Sequence, residues 1–211
     1  RTGTNLQNIP PGVCRKMFVP DEGKIFINVD LSQAETRVVA YLAEDEKLIE
    51  FFNKGGDIHK LNASWIYGCN VGDVTYEQRD KAKRGVHALD YGMGPMLFGK
   101  LFGCSMSEAK RLSQKYFDTF PRIRAWQLSI QSKLGKSRTL TTPLGRKRTF
   151  FGLWGDSLFR EAYSFVPQST VGDALNYAMI RLAEAYPETE FMLQNHDAFV
   201  IQCKEEEEKV W

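Results

Sequence analysis

The sequence predicts an α+β fold in which a small antiparallel β platform carries a long helical excursion. Three observations point there. The stretch Ile25-Phe26-Ile27-Asn28-Val29-Asp30 alternates, with Ile25, Ile27 and Val29 on one face and Phe26, Asn28 and Asp30 on the other, as a half-buried strand does. Two β-rich runs at 191–195 and 199–203 flank the short polar stretch His196-Asp197-Ala198, which suggests an antiparallel hairpin with an acidic tip. Between these strands, apolar residues recur at helical spacing and are punctuated by capping pairs.

Residues 1–24 carry turn formers and Pro10-Pro11 and read as an irregular lead-in anchored by Val13, Met17, Phe18 and Val19. After the first strand, Ser32-Gln33-Ala34-Glu35 has capping-box spacing, and Val38, Val39, Leu42, Ala43, Leu48, Ile49 and Phe52 extend one helical face as far as Gly55-Gly56. Asp57 caps a second helix that Gly68 ends. Thr75 with Gln78 opens a third, running to about Tyr91, where Gly92, Gly94 and Pro95 stop it. Ser105 with Glu108 starts a helix to about Phe120, and Pro121 starts another ending at Gly135. Residues 139–151 are strand-like, with a turn at Pro143 and Gly145 and the basic cluster Arg146-Lys147-Arg148; two further helices are expected, broken at Pro167.

At 211 residues, 43% hydrophobic and 26% charged, the chain can bury one full-sized core or two small ones, which excludes disordered, collagen-like and coiled-coil classes. No apolar run approaches the roughly 20 residues that span a bilayer, and the opening RTGTNLQNIP is not a basic-then-apolar leader, so a soluble intracellular chain is expected. Cys14, Cys69, Cys104 and Cys203 form no C-x-x-C pair, which supports neither a zinc site nor a disulfide framework. A net charge of +2 does not by itself mark a nucleic-acid binder. Arg1 enters a loop-like stretch directly and the sequence stops inside a charged helical pattern, so a fragment of a longer chain is expected.

Three constellations carry chemistry. Asp30 ends a strand and Asp197 lies between two strands; each alone suits a turn or cap, but if they converge they can hold two divalent cations about 3.5–4 Å apart for phosphoryl transfer. Such an oxygen donor set suits Mg²⁺. Arg79, Lys83, His87 and Tyr91 fall four apart on the third helix and form a slowly winding stripe, which is either a solvated basic face or a track for a phosphate tail followed by a flat base or sugar. His59, two residues after a cap, and His196, beside Asp197, have ordinary structural readings as well.

These residues match a known family. Asp30-Leu31-Ser32-Gln33-Ala34-Glu35-Thr36-Arg37 resembles motif A of the family A DNA polymerases, D-x-S-Q-x-E-x-R. Arg79, Lys83, Tyr91 and Gly92 resemble motif B, and His196-Asp197 resembles the H-D-E of motif C. Asn5-Leu6-Gln7-Asn8-Ile9-Pro10 is similar to the segment preceding motif A, and Asp57-Ile58-His59 and Arg160 with Gln168 also fit. The matches occur in the family's order along nearly the whole chain.

The resemblance implies an antiparallel β palm with a helical fingers subdomain: palm at 1–42, fingers at 43–150 and palm again at 151–211, truncated at both ends. It implies template-directed DNA synthesis on a primer-template with dNTP substrates and two Mg²⁺ ions. The ions are held by Asp30, Asp197 and the Leu31 carbonyl. Arg79, Lys83 and His59 hold the triphosphate, with Lys83 as the proton donor to pyrophosphate. Glu35 and Tyr91 exclude a ribose 2′-hydroxyl, His87 covers the incoming nucleotide, and Gln33, Arg160, Gln168 and His196 touch primer or template near the new pair.

By the same resemblance the chain is a monomeric catalytic unit within a longer protein, cytoplasmic or nucleoid-associated, of bacterial, phage or organellar origin. It departs from the family at three places: His87 stands where Phe or Tyr is usual, Ala198 where Glu follows H-D, and Ser164 where Asn is common. Two other classes share part of the pattern. A two-metal nuclease needs the carboxylates but has no use for the stripe, and a catalytically silent nucleic-acid clamp would be untouched by Asp30→Asn.

Overall fold

The computed structural model describes Ile9 and residues 12–207; the expected motif at 5–10 lies, Ile9 apart, outside the described residues. In chain order the elements are α1 (Val13–Lys16), β1 (Lys24–Asp30), α2 (Ala34–Ala43), α3 (Glu46–Asn53), α4 (Ile58–Tyr67), α5 (Tyr76–Asp90), α6 (Pro95–Phe102), α7 (Met106–Thr119), α8 (Pro121–Ser137), β2 (Thr139–Thr141), β3 (Lys147–Thr149), α9 (Asp156–Ala185), β4 (Glu190–Asn195) and β5 (Ala198–Lys204). The mixture of helices with antiparallel sheet is the expected fold class.

The chain divides into two compact units: Gln33–Val171, and the residues before Gln33 together with those from Gly172 on. The resemblance placed its divisions at 42/43 and 150/151. The compact units are set by packing: Val39, Ala40 and Ala43 of α2 and Leu158, Ala162, Tyr163 and Val166 of α9 are buried in the helical core.

In the second of these units the sheet order is β1-β5-β4, antiparallel throughout, with Ile27 opposite Ile201 and Asp30 opposite Ala198. Alternation sends Ile27 and Val29 into a core with Phe199, Ile201 and Leu175 of α9, while Asn28 and Asp30 stay exposed. The β4 to β5 connection is the two-residue turn His196-Asp197, with His196 in the left-handed region at φ 52°.

In the helical unit, Leu48, Ile58, Ile123 and Leu134 are fully excluded from solvent, each burial stabilising by roughly 1.5–3 kcal/mol. Four details differ from expectation. The capping box at Ser32 and Glu35 is absent: Gln33 takes the cap position in the left-handed region, without a side-chain cap. Its amide instead accepts from the Ile58 N–H at 2.9 Å and donates to the Gly56 carbonyl. The long helix expected to run to Gly55 is two helices, because Glu44 turns left-handed at φ 53° and the buried Asp45 starts afresh. Asp45 caps Leu48 N at 3.1 Å and also accepts from Arg122 N at the start of α8, so one carboxylate serves two helix ends. Helix α8 runs on past Gly135 to Ser137, closing on left-handed Arg138. Finally, α9 is one helix with Pro167 inside it rather than two; burial of Tyr163, Phe165, Val166 and Val171 around the proline offsets the lost hydrogen bond. Helix α6 had no separate signal beyond Gly94 and Pro95, which sit at its cap and first position.

Candidate active site

Two groups of expected site residues stand out, one in each unit. In the sheet unit, the β1 to β5 ladder ends with Asp30 opposite Ala198, and one step further the Leu31 N–H donates to the Asp197 carbonyl at 2.9 Å. The motif A and motif C aspartates therefore occupy adjoining strand ends. Asp30 is exposed, Asp197 half-buried and His196 exposed. No third His, Cys, Asp or Glu joins the pair as a metal cluster among the described residues. The donors at hand are hard oxygens, as Mg²⁺ prefers, and they leave room in its octahedral shell for phosphate and water.

In the helical unit the site is built on α5, whose N-terminus carries the full capping box: Thr75 Oγ1 accepts from Gln78 N at 3.3 Å, and Gln78 returns the bond to Thr75 N. The helix buries Ala82, Gly85, Val86 and Leu89. A Cβ on Gly85 would lie 2.6 Å from the Phe102 ring, so glycine permits the close approach of α6. Arg79, Lys83, His87 and Tyr91 run along the other side, with Lys83 exposed.

Arg79 is held by Asp57, Nε to Oδ2 at 2.6 Å, while Asp57 Oδ1 accepts from the backbone of His59 and Lys60 at the start of α4. Burial pushes the Asp57 carboxyl up, but the Arg79 guanidinium and Lys60 amide outweigh it and hold the group below its ordinary range. His59 is 1% exposed, its ring nitrogens have no hydrogen-bond partner among the described residues, and it packs 5.4 Å from the His87 ring. Burial, with the nearby His87 and Arg79, drives its pKa down to about 3, so the ring is neutral.

Further along the stripe, the Tyr91 hydroxyl donates to Glu35 Oε2, and the His87 Nδ1 lies 3.8 Å from that same oxygen. The His87 and Tyr91 rings stack at 6.3 Å. Burial and the Glu35 carboxylate raise the Tyr91 phenol well above its ordinary value, which keeps it protonated. Gln168 is near enough to act on the same phenol; Gln168 and Arg160 are themselves exposed.

Within the helical unit the fold thus gathers Glu35, His59, Arg79, His87, Tyr91 and Gln168, while the Gln33 amide is committed to the turn before α4. The sequence marks Asp57 as a cap and as part of the family's pattern, but not its grip on Arg79. Nor does it single out Asp90, although position 90 continues the buried spacing of Ala82, Val86 and Leu89.

The whole chain, residues 1–211, matches the model of DNA polymerase family A. The chain belongs to DNA polymerase family A. Among family A members it is 33% identical over 221 residues to the thermostable DNA polymerase I of Thermus filiformis, covering 96% of this chain and 26% of the relative. It is 32% identical to that of Thermus aquaticus, with the same coverage of both. The chain therefore spans about a quarter of the length of these family A relatives. Its fold is similar to the POL domain of Pol1 from M. smegmatis, solved in complex with DNA primer-template and dNTP, with a TM-score of 0.87 and 30% identity over 98% of this chain and 39% of that one.

Proposed function

We propose that this chain forms the palm and fingers of a template-directed DNA polymerase, which joins a dNTP to a primer 3′-hydroxyl and releases pyrophosphate. The observation that carries the reading is the backbone bond from Leu31 to Asp197, which sets two motif carboxylates at adjoining strand ends in a family A chain. Asp30, Asp197 and the Leu31 carbonyl hold two Mg²⁺ ions. When bound, the ions supply charge neutralisation for the phosphates and a lowered pKa for the attacking hydroxyl.

The remaining work falls to the side chains. Arg79 and Lys83 bind the triphosphate by charge-assisted hydrogen bonds, with Asp57 aiming the Arg79 fork. Lys83 donates the proton to the departing pyrophosphate. His59 gives a neutral imidazole beside them. Tyr91, pinned to Glu35, closes the space a 2′-hydroxyl would need, and His87 covers the base or sugar. Arg160, Gln168 and His196 contact primer or template, while Gln33, expected there too, keeps its amide on the turn before α4. Substrates and partners are therefore dNTPs and primer-template DNA, and the catalytic unit acts as a monomer within the longer protein.

The test is primer extension by the full-length chain with Mg²⁺ and all four dNTPs, beside Asp30→Asn and Asp197→Asn. Extension that vanishes in both variants while duplex binding persists supports the reading. Primer shortening points to a nuclease, and binding without turnover in every version points to a scaffold; either outcome overturns it.

A further inference from the structure

The last turn of α5 is held by a buried carboxyl that the proposed reaction does not use. Asp90 has no exposed surface, and its Oδ1 accepts from the Tyr116 hydroxyl of α7 at 2.6 Å. Its Oδ2 makes no hydrogen bond among the described residues. From α8, the Gln127 amide donates to the backbone carbonyls of Leu89 and Asp90 at 3.0 and 2.8 Å. From α2, the buried Thr36 hydroxyl is close enough to favour the ionised form, although no bond of ordinary geometry joins the two, and the Glu35 carboxylate opposes ionisation. The next residue is the C-cap of α5, Tyr91, bonded to Glu35, with His87 of α5 behind it.

Two consecutive residues of α2, Glu35 and Thr36, thus face Tyr91, the C-cap of α5, and Asp90, its last residue. A neutral Asp90 fits between the helices. An ionised Asp90 places a half-bonded charge in a dry site beside a second carboxylate, which is costly unless the helix end shifts. Burial pushes the Asp90 carboxyl up to about 7, so both forms are populated near neutral pH.

We propose that Asp90 is a titratable positioning residue for the nucleotide site: its neutral carboxyl, bonded to Tyr116, seats the end of α5 so that Tyr91 stays on Glu35, and its ionisation releases that seat. The inference rests on the polymerase reading. It makes nucleotide affinity fall as pH rises through the Asp90 transition. If the neutral form alone binds, apparent affinity scales with the neutral fraction, and the ceiling on the rise in KM between pH 6 and pH 8.5 is about 30-fold.

The experiment is single-nucleotide incorporation by the full-length chain, with KM and kcat measured from pH 6 to pH 8.5 for wild type, Asp90→Asn and Tyr116→Phe. Wild-type KM rises by at least about threefold across the range. Asp90→Asn cannot ionise yet still accepts from Tyr116, and it holds the low-pH KM throughout. Tyr116→Phe removes a bond of the seat as well as the donor that favours the ionised form, so its KM is already raised at low pH and its further rise begins at a higher pH than in wild type. A residue that merely fills the core would offset KM equally at every pH.

A flat wild-type KM, or an Asp90→Asn profile parallel to wild type, overturns the inference. If Asp90→Asn does not fold, a Tyr116→Phe rise that begins where the wild type's does overturns it. Absence of extension by wild type at every pH overturns the polymerase reading and this inference together, whereas extension with parallel profiles overturns this inference alone.

Discussion

Replacing Asp57 by alanine, and separately by asparagine, divides the two tasks this carboxylate performs. Its Oδ1 caps α4 through His59 N at 3.0 Å and Lys60 N at 3.1 Å, and its Oδ2 grips Arg79 at 2.6 Å. Asparagine caps about as well as aspartate, while alanine costs about 1 kcal/mol. The ion pair, with side chains 28% and 25% exposed, adds about 0.5–1 kcal/mol and is lost in both variants. The assay is hydrogen exchange of the first turn of α4 in the full-length chain, because it reads the cap locally. With 1.4 kcal/mol equal to tenfold, loss of the cap makes exchange at the His59 and Lys60 amides about fivefold faster in Asp57→Ala than in Asp57→Asn, both of which lack the ion pair. Equal acceleration in the two variants would refute the division, since it would make the ion pair, not the cap, the support of that turn.

Other consequences are as direct. Because the folded Asp57 carboxyl lies below its ordinary value of 3.8, its contribution to stability is present above that pH and is lost as pH falls further; acid unfolding of Asp57→Asn lacks that component. Gly92→Ala puts a Cβ 2.9 Å from the buried Tyr163 ring at a φ of 79°, costing about 1–2 kcal/mol for the left-handed backbone and about 1–3 kcal/mol for the clash, and it lowers the thermal midpoint accordingly. Gln127→Leu removes the side-chain donor to the Leu89 and Asp90 carbonyls at the end of α5. It costs about 1–3 kcal/mol in urea denaturation and speeds hydrogen exchange in the last turn of α5.

What could be read in advance followed from local chemistry. The ends of α4, α5 and α7 were legible because Asp57, Thr75 with Gln78, and Ser105 are caps whose bonds close within three residues. The strand face of Ile27 and Val29 and the turn at His196-Asp197 were legible from period-two alternation. The failures share one cause, a distant partner that overrides the local signal. The capping box at Ser32 gave way because Gln33 is needed by Ile58 and Glu35 by Tyr91. The Pro167 break gave way to a core supplied by other helices. At the candidate site, Asp57 on Arg79 and Tyr116 on Asp90 join positions far apart in sequence, which neither motif nor spacing rule reaches.

The sheet order β1-β5-β4 also fixes when this protein can acquire its paired aspartates. The β4 to β5 hairpin closes over two residues, a microsecond event, but β1 must wait for β5, and Asp30 and Asp197 are 197 − 30 = 167 positions apart. At about 5–20 residues per second on the ribosome, Asp30 emerges roughly ten to thirty seconds before Asp197. During that interval β1 is a nascent strand without its partner, while the segment that becomes the helical unit is being completed. The carboxylate pair thus cannot assemble until β5 has been made, and synthesis that stops before β5 yields a product in which Asp30 has no Asp197 beside it.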